Sequence, residues 1–193
     1  MDEINMLKFI DKYFSDKFSP LVRYLHYLIL ILVLFQIIIS NFIEISDDGI
    51  ISHNILEQYS TWAHISIGLL LFVLAILFII IELSKHGFAY FYPYVFGDIT
   101  QLKIDINQLK HKKMPELAPK GLAAIVQGLG LGALMLVVLS GAGWFLLWIY
   151  DFPLANYVIE IHVLLTGLIE AYVIAHGSIG LIHLLLAYKN KKV

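Results

Sequence analysis

The chain has 193 residues, of which 60% are hydrophobic and 15% charged, and its mean hydropathy is +0.81. Soluble domains carry about 45–50% apolar and about 25% charged residues, so this composition excludes an ordinary soluble fold and intrinsic disorder and points to a membrane. A net charge of −2 offers no basic surface to nucleic acid, and the lack of cysteine removes disulfides, thiolate zinc sites, iron–sulfur ligation and covalent haem attachment.

In chain order, residues 4–18 place Leu7, Ile10, Phe14 and Phe18 on one helical face, as a helix lying on a membrane surface would. The first long apolar run covers about residues 21–42, and crossing a bilayer takes roughly 17–25 residues. It is too long for the core of a signal peptide, acidic residues precede it, and no A-x-A site follows. A second span is expected over about 60–83, then a loop over 84–120. Within that loop, FAYFYPYVF (88–96) reads as an aromatic interfacial anchor. Residues 98–110 read as a second surface helix, with Ile99, Leu102, Ile106 and Leu109 on one face, Asp98 as N-cap and Gln101 at the capping-box position. Pro115 and Pro119 punctuate the approach to a third span over about 121–150, and a fourth covers about 157–188. The last two are long enough to require tilt or protrusion.

Charge gives the orientation. All 13 Lys and Arg residues fall before the first span or at its start, in the 84–120 loop, or after the fourth span. The opposite connections hold Glu44, Asp47, Asp48, Glu57 and Asp151 but no Lys or Arg. The positive-inside rule therefore expects an all-α integral membrane protein, a four-span antiparallel helix bundle with both termini cytoplasmic. The whole chain reads as one such domain.

Eight histidines remain to be explained. His53, His86 and His111 fall in loops or at span ends, where a solvated or interfacial role suffices. His26, His64, His162, His176 and His183 fall inside spans, where ionisable side chains are costly and face the bundle interior. By depth, His64 matches His162 at the acidic end, and His26 matches a histidine on the far half of the fourth span. Fourteen residues separate His162 from His176, which is about 21 Å along a helix and about 40° short of four full turns. Two ligands on one face, each opposed by a histidine of another helix, suit two haems placed one above the other. Gly68, Thr166 and Gly180 lie four residues after His64, His162 and His176 and leave room beside the rings, whereas Leu30 follows His26. The third span offers Gly128, Gly130, Gly132, Gly141 and Gly143 for close approach.

Two axial histidines per level and no cysteine point to non-covalent b-type haem. Zinc fits less well, because no H-E-x-x-H occurs and each level supplies two strong ligands where zinc takes three or four. Interhelical hydrogen bonding or a proton relay is the plainer alternative. Arg23, one turn before His26, suits a haem propionate or serves only as a flanking charge. His183 is seven residues beyond His176 and nearly on its face, so spacing alone leaves it open as the partner of His26. Glu170, between the two levels, suits proton handling or a neutral hydrogen-bonded role, and Glu160 reads as a first-turn helix acid.

These residues resemble the bacterial cytochrome b561 family, including the b-type subunits of Ni/Fe-hydrogenases and formate dehydrogenases. The resemblance rests on S-x-L-x-x-x-x-H-aromatic-L (Ser19 to Leu28), H-x-x-x-G (His64 to Gly68), His162-x13-His176 and the tail His176-x6-His183. It implies two haem b groups, held by His26 with His176 and by His64 with His162, with His183 left beside the haem or nearer a quinone. The loop LKHKKMPELAPKGLAAIVQGLG is long for a minimal member and similar in placement to that of dehydrogenase-type subunits. The resemblance implies transmembrane electron transfer between membrane quinone and a redox partner protein, a dehydrogenase subunit or cytochrome, or a small redox species. The setting is the bacterial cytoplasmic membrane with its lipid, and a homodimer is compatible with it. A proton-coupled transporter or channel, with Glu82, Glu160 and Glu170 as relay, and a haem-free membrane anchor are the rival classes. Neither broken helices nor inverted repeats support the transporter.

Overall fold

In a computed structural model, described residues 6–15, 18–46, 49–115 and 118–191 form seven α-helices. Four are long and apolar enough to cross a membrane: α2 (Pro20–Ser40), α3 (Ile55–His86), α6 (Leu122–Ile149) and α7 (Ala155–Lys191). The others are α1 (Met6–Ser15), a single turn α4 (Phe88–Phe91) continued by a 3₁₀ turn (Pro93–Phe96), and α5 (Thr100–Lys110). No strand occurs among the described residues beyond one isolated bridge, Ile45 to Ile51.

The helix ends follow local chemistry. Pro20 begins α2 at the first turn, where its missing N–H is no loss. Asn54 caps α3 by accepting from the Leu56 amide at 2.9 Å. Gly87, at φ 80°, ends α3 in a conformation that a Cβ would strain.

Contacts between neighbours run in opposite senses, so adjacent spans are antiparallel. Gln36 meets His64 and His26 meets Phe78 between α2 and α3. Trp148 meets Trp62 and Gln127 meets Glu82 between α6 and α3. Gly141 abuts His162 and Gly130 abuts Tyr172 between α6 and α7. Val22, Leu25, Ile29 and Val33 form the inner stripe of α2, and they join Leu71, Ala75 and Phe78 of α3 and Leu131, Leu134 and Val138 of α6 in one core. Between apolar helices in lipid such contacts hold by close packing, since lipid tails are as apolar as leucine.

The spans are unequal. In the most apolar stretch of α6, 44% of residues are buried, against 6% for α7. Helix α6 is therefore the central post. Helix α7 packs extensively only on α6 and, at its far end, on α1, and makes no extensive packing with α2 or α3. Across that seam the histidines face one another.

Three expectations are corrected. Helix α1 does not simply lie on a surface: Phe9, which is off the expected stripe, is buried and meets the Tyr188 ring at 5.2 Å, while Phe18 is exposed and Leu7 lies outside the described side chains. The 88–96 stretch is only partly an anchor, because Phe91 and Pro93 are fully buried while Phe88, Val95 and Phe96 are exposed. Asp98 is not the N-cap of α5, which begins at Thr100 after Ile99. Instead one Asp98 oxygen accepts from the Thr100 amide at 3.3 Å and the other from Lys120 at 3.0 Å. The helix is held instead through Asp105, which is 1% exposed and accepts from Gln101 at 2.8 Å and from the Leu122 amide at 2.7 Å. Asp105 thereby satisfies an orphan N–H in the first turn of α6 from another element.

Candidate functional site

The intramembrane histidines meet in two pairs. The rings of His64 and His162 lie 6.2 Å apart, centre to centre, and inclined at 79°. Those of His26 and His176 lie 6.3 Å apart and inclined at 65°. His183 makes no ring contact with His26 among the described residues, so of the two candidates His176 is the one that meets it. Both pairs bridge the seam between α7 and the α2–α3 layer, one at each level.

These separations lie within the range of ordinary ring contacts and also match that of two imidazoles bridged by a metal. A metal–imidazole bond of about 2.0–2.1 Å, with about 1.2 Å more to each ring centre, puts two opposed ligands about 6.4 Å apart. The two pairs show this spacing. Among the described residues no three His, Cys, Asp or Glu side chains converge as a metal site, so each level has two imidazole donors and no more. Two axial donors with the remaining positions left to a planar ligand fit haem; they do not fit a tetrahedral zinc site.

Surrounding groups hold the rings. The Nδ1 of His162 faces the Val137 carbonyl at 3.1 Å and Ser140 Oγ at 3.0 Å. Acting as donor there, Nδ1 fixes the tautomer and leaves Nε2 with a free lone pair. The Ser140 hydroxyl itself donates to the Val137 carbonyl at 2.9 Å. Gly141 admits the ring: a Cβ at that position would stand 2.9 Å from His162 Cε1. Thr166 Oγ1 donates back to the His162 carbonyl at 2.9 Å, so its small side chain is spent on the helix.

His64 is held differently. Gln36, buried on α2, donates from Nε2 to the His64 carbonyl at 2.9 Å and fills the space beside Gly68 that the sequence left open. His64 Nδ1 and Gln36 Oε1 are both buried without a hydrogen-bond partner among the described residues. Buried polar atoms are as a rule paired, so this side of the site has bonding capacity that the described residues do not use. At the other level, Tyr172 stacks on His176 at 5.1 Å and 14°, and Gly130 makes room for the Tyr172 ring, which a Cβ there would overlap. Phe78 flanks His26 at 6.1 Å. Gln36, Ser140 and Tyr172 were not singled out by sequence: the partners of Gln36 and Ser140 show only once helices are packed, and Tyr172, one turn before His176 on its own helix, reads there as an ordinary aromatic.

Arg23 lies beside this second level. Its Nη1 donates to Asp11 Oδ1 at 3.1 Å, and the guanidinium carbon lies 5.3 Å from the centre of the Tyr24 ring. The Arg23 side chain is largely buried, while Asp11 is exposed. Glu170 is half-buried on α7 and Glu160 is exposed. His111 accords with a loop role, bonding through Nδ1 to the Asn107 carbonyl at 2.8 Å. His86 accords with a span-end role: it is exposed as the last residue of α3, with Glu82 and the Tyr90 ring beside it. Beyond the His64–His162 level, at the acidic end, a cleft of about 640 Å³ is walled by Trp62, Trp148, Asp151 and Phe152.

No curated protein and no solved structure matches the chain significantly. The family model for prokaryotic cytochrome b561 matches residues 17–189, which include all four spans and both histidine pairs. With four apolar helices and paired imidazoles at two depths, the chain belongs to the prokaryotic cytochrome b561 family, multi-pass membrane proteins of electron transport that carry b-type haem.

Proposed function

We propose that this protein carries electrons across a bacterial cytoplasmic membrane through two b-type haems, exchanging them between membrane quinone and a redox partner protein or small redox species. The observation that carries the reading is the equal spacing of the two histidine pairs, 6.2 and 6.3 Å. His64 with His162 would hold one haem and His26 with His176 the other. Such groups would supply one-electron chemistry when bound.

The chain's own residues then do the rest. Helix α7 offers one ligand to each level, about 21 Å apart along its axis. The Val137 carbonyl and Ser140 orient His162 and raise its basicity as a ligand. Tyr172 keeps the His176 ring from turning. Arg23 uses Nη1 on Asp11, and its other N–H groups are the proposed partners of a propionate at the inner level. The basic end, with both termini and the 84–120 loop, is placed in the cytoplasm by its Lys residues. The cleft walled by Trp62 and Trp148 at the acidic end is the proposed docking place of a small redox species or partner.

The test is an absorption spectrum of the purified protein with haem quantified per chain. Two haems with reduced-state α-bands are expected, and His64→Ala should remove one while leaving the other. A haem-free protein, or loss of both haems in that variant, would overturn the reading. The haem-free result would favour the membrane-anchor alternative.

A further inference from the structure

Glu82 is the one intramembrane carboxylate that is fully buried among the described residues, at 3% exposure, and the histidine pairs do not account for it. It lies on α3, 18 residues beyond His64, which is five whole turns and therefore the same face. One turn before it on α3, Phe78 meets the ring of His26. Glu82 thus lies one helical turn closer to the basic end than the residue that meets His26.

Its surroundings are polar on one side only. From α6, Gln127 Nε2 donates to Glu82 Oε2 at 3.1 Å. From its own helix, His86 Nε2 lies 4.0 Å from the same oxygen, and the His86 side chain is 29% exposed against 4% for Glu82. From α4, Tyr90 packs on His86 at 4.7 Å. Burial, reinforced by the charge of Glu82, pushes the Tyr90 phenol upward, so it stays neutral and does not compete for a proton near neutral pH. On α2, Arg23 is turned to Asp11. No Lys or Arg pairs with Glu82 among the described residues. A buried carboxylate without a fixed cation is stable in one charge state only when its neighbours' charges agree, and intramembrane groups of this kind mark proton or ion sites.

We propose that Glu82 is a proton-binding site coupled to the His26–His176 level, with His86 as its connection to water at the basic end. The inference rests on the electron-transfer reading. An electron delivered to that level by the reduced donor adds negative charge near Glu82. The Glu82 carboxylate then takes one proton from water, by way of His86, and becomes a neutral acid. Oxidation by the acceptor returns the electron onward and the proton to water, so charge balances at each step.

The experiment is a spectroscopic redox titration of the full-length, haem-loaded protein at several pH values. The haem lost in His26→Ala should have a potential that falls with rising pH. The limit is a tenfold change in its reduction equilibrium per pH unit, about 59 mV. In Glu82→Gln the slope should flatten while the haem lost in His64→Ala is unchanged, and Glu82→Asp should restore part of it. An unchanged slope in a fully loaded Glu82→Gln would overturn the proposal. Should that variant fold poorly, the unmodified protein decides: its redox-induced infrared difference spectrum should show a carboxyl C=O stretch, and its absence would overturn the proposal equally. Two haems with no pH dependence would remove this inference alone, whereas a haem-free protein would remove the electron-transfer reading as well.

Discussion

At the residue scale, the outer level depends on the absence of a side chain. Gly141 lets α6 come so close to His162 that a Cβ would stand 2.9 Å from the ring carbon. The ring cannot yield freely, because its other edge is tied to Val137 and Ser140. Gly141→Val is therefore expected to rotate or expel the imidazole and to remove the haem held with His64, leaving the one held with His26. Absorbance-based haem counting in the two single backgrounds checks this, and retention of both haems would show that α6 can retreat. The histidines themselves were legible in the sequence, because rise and twist per residue are fixed and turn spacing into depth and direction. Gln36 and Ser140 were not, since each meets a histidine on a helix tens of residues away, and Tyr172 was not, since an aromatic one turn from a histidine on an apolar helix reads as lipid-facing. Glu82 shows the same limit: its amide partner, Gln127, lies 45 positions along the chain.

At the element scale, the loop between α3 and α6 is a strut, and carboxylates supply two of its fastenings. Asp105 receives the Leu122 amide at 2.7 Å and so anchors α5 to the start of the central span. Side-chain caps of this kind are worth about 0.5–2 kcal/mol, and Asp105→Ala, which also leaves a buried amide unpaired, is expected at the upper end of that range. Equilibrium unfolding in mixed detergent checks the value, and a change within error would mean water replaces the carboxylate. The second fastening is Lys120 to Asp98. The hydrogen bond from Lys120 holds the Asp98 carboxyl below its ordinary value of 3.8. A depressed carboxylate contributes above the unfolded value and loses its contribution as pH falls through the lower folded one. Acidification below about 4 should therefore release this clamp, and the protection factors of nearby amides, exchange rates corrected for their intrinsic pH dependence, should fall there and not between pH 5 and 8. Sequence periodicity located α5 within two residues but placed Asp98 wrongly, because a cap and a surface ion pair look alike until the partner is known. Asp105 escaped notice because an acid in a short amphipathic helix reads as solvated.

At the scale of the whole molecule, the four spans were legible because lipid-length apolar runs need no tertiary information. Their unequal packing was not, because α7 too is apolar enough to span a membrane and yet, among the described residues, packs mainly on α6. A helix bound along one flank and carrying half of each ligand pair should be steadied by what those pairs hold. Haem loading is accordingly expected to raise the unfolding temperature, with about 2.7 kcal/mol gained at a hundredfold excess over the dissociation constant. Thermal unfolding of protein expressed with and without haem supply checks it, and equal midpoints would mean that α7 is fixed by other means. A single unbroken helix, α7, bears His162 and His176 at its two heights. Such a rod turns as one piece. A small roll imposed where its tail meets Phe9 of α1 would sweep both imidazoles through the same arc, so under the proposed electron-transfer role a push on that tail would shift the two histidine levels together and not one at a time.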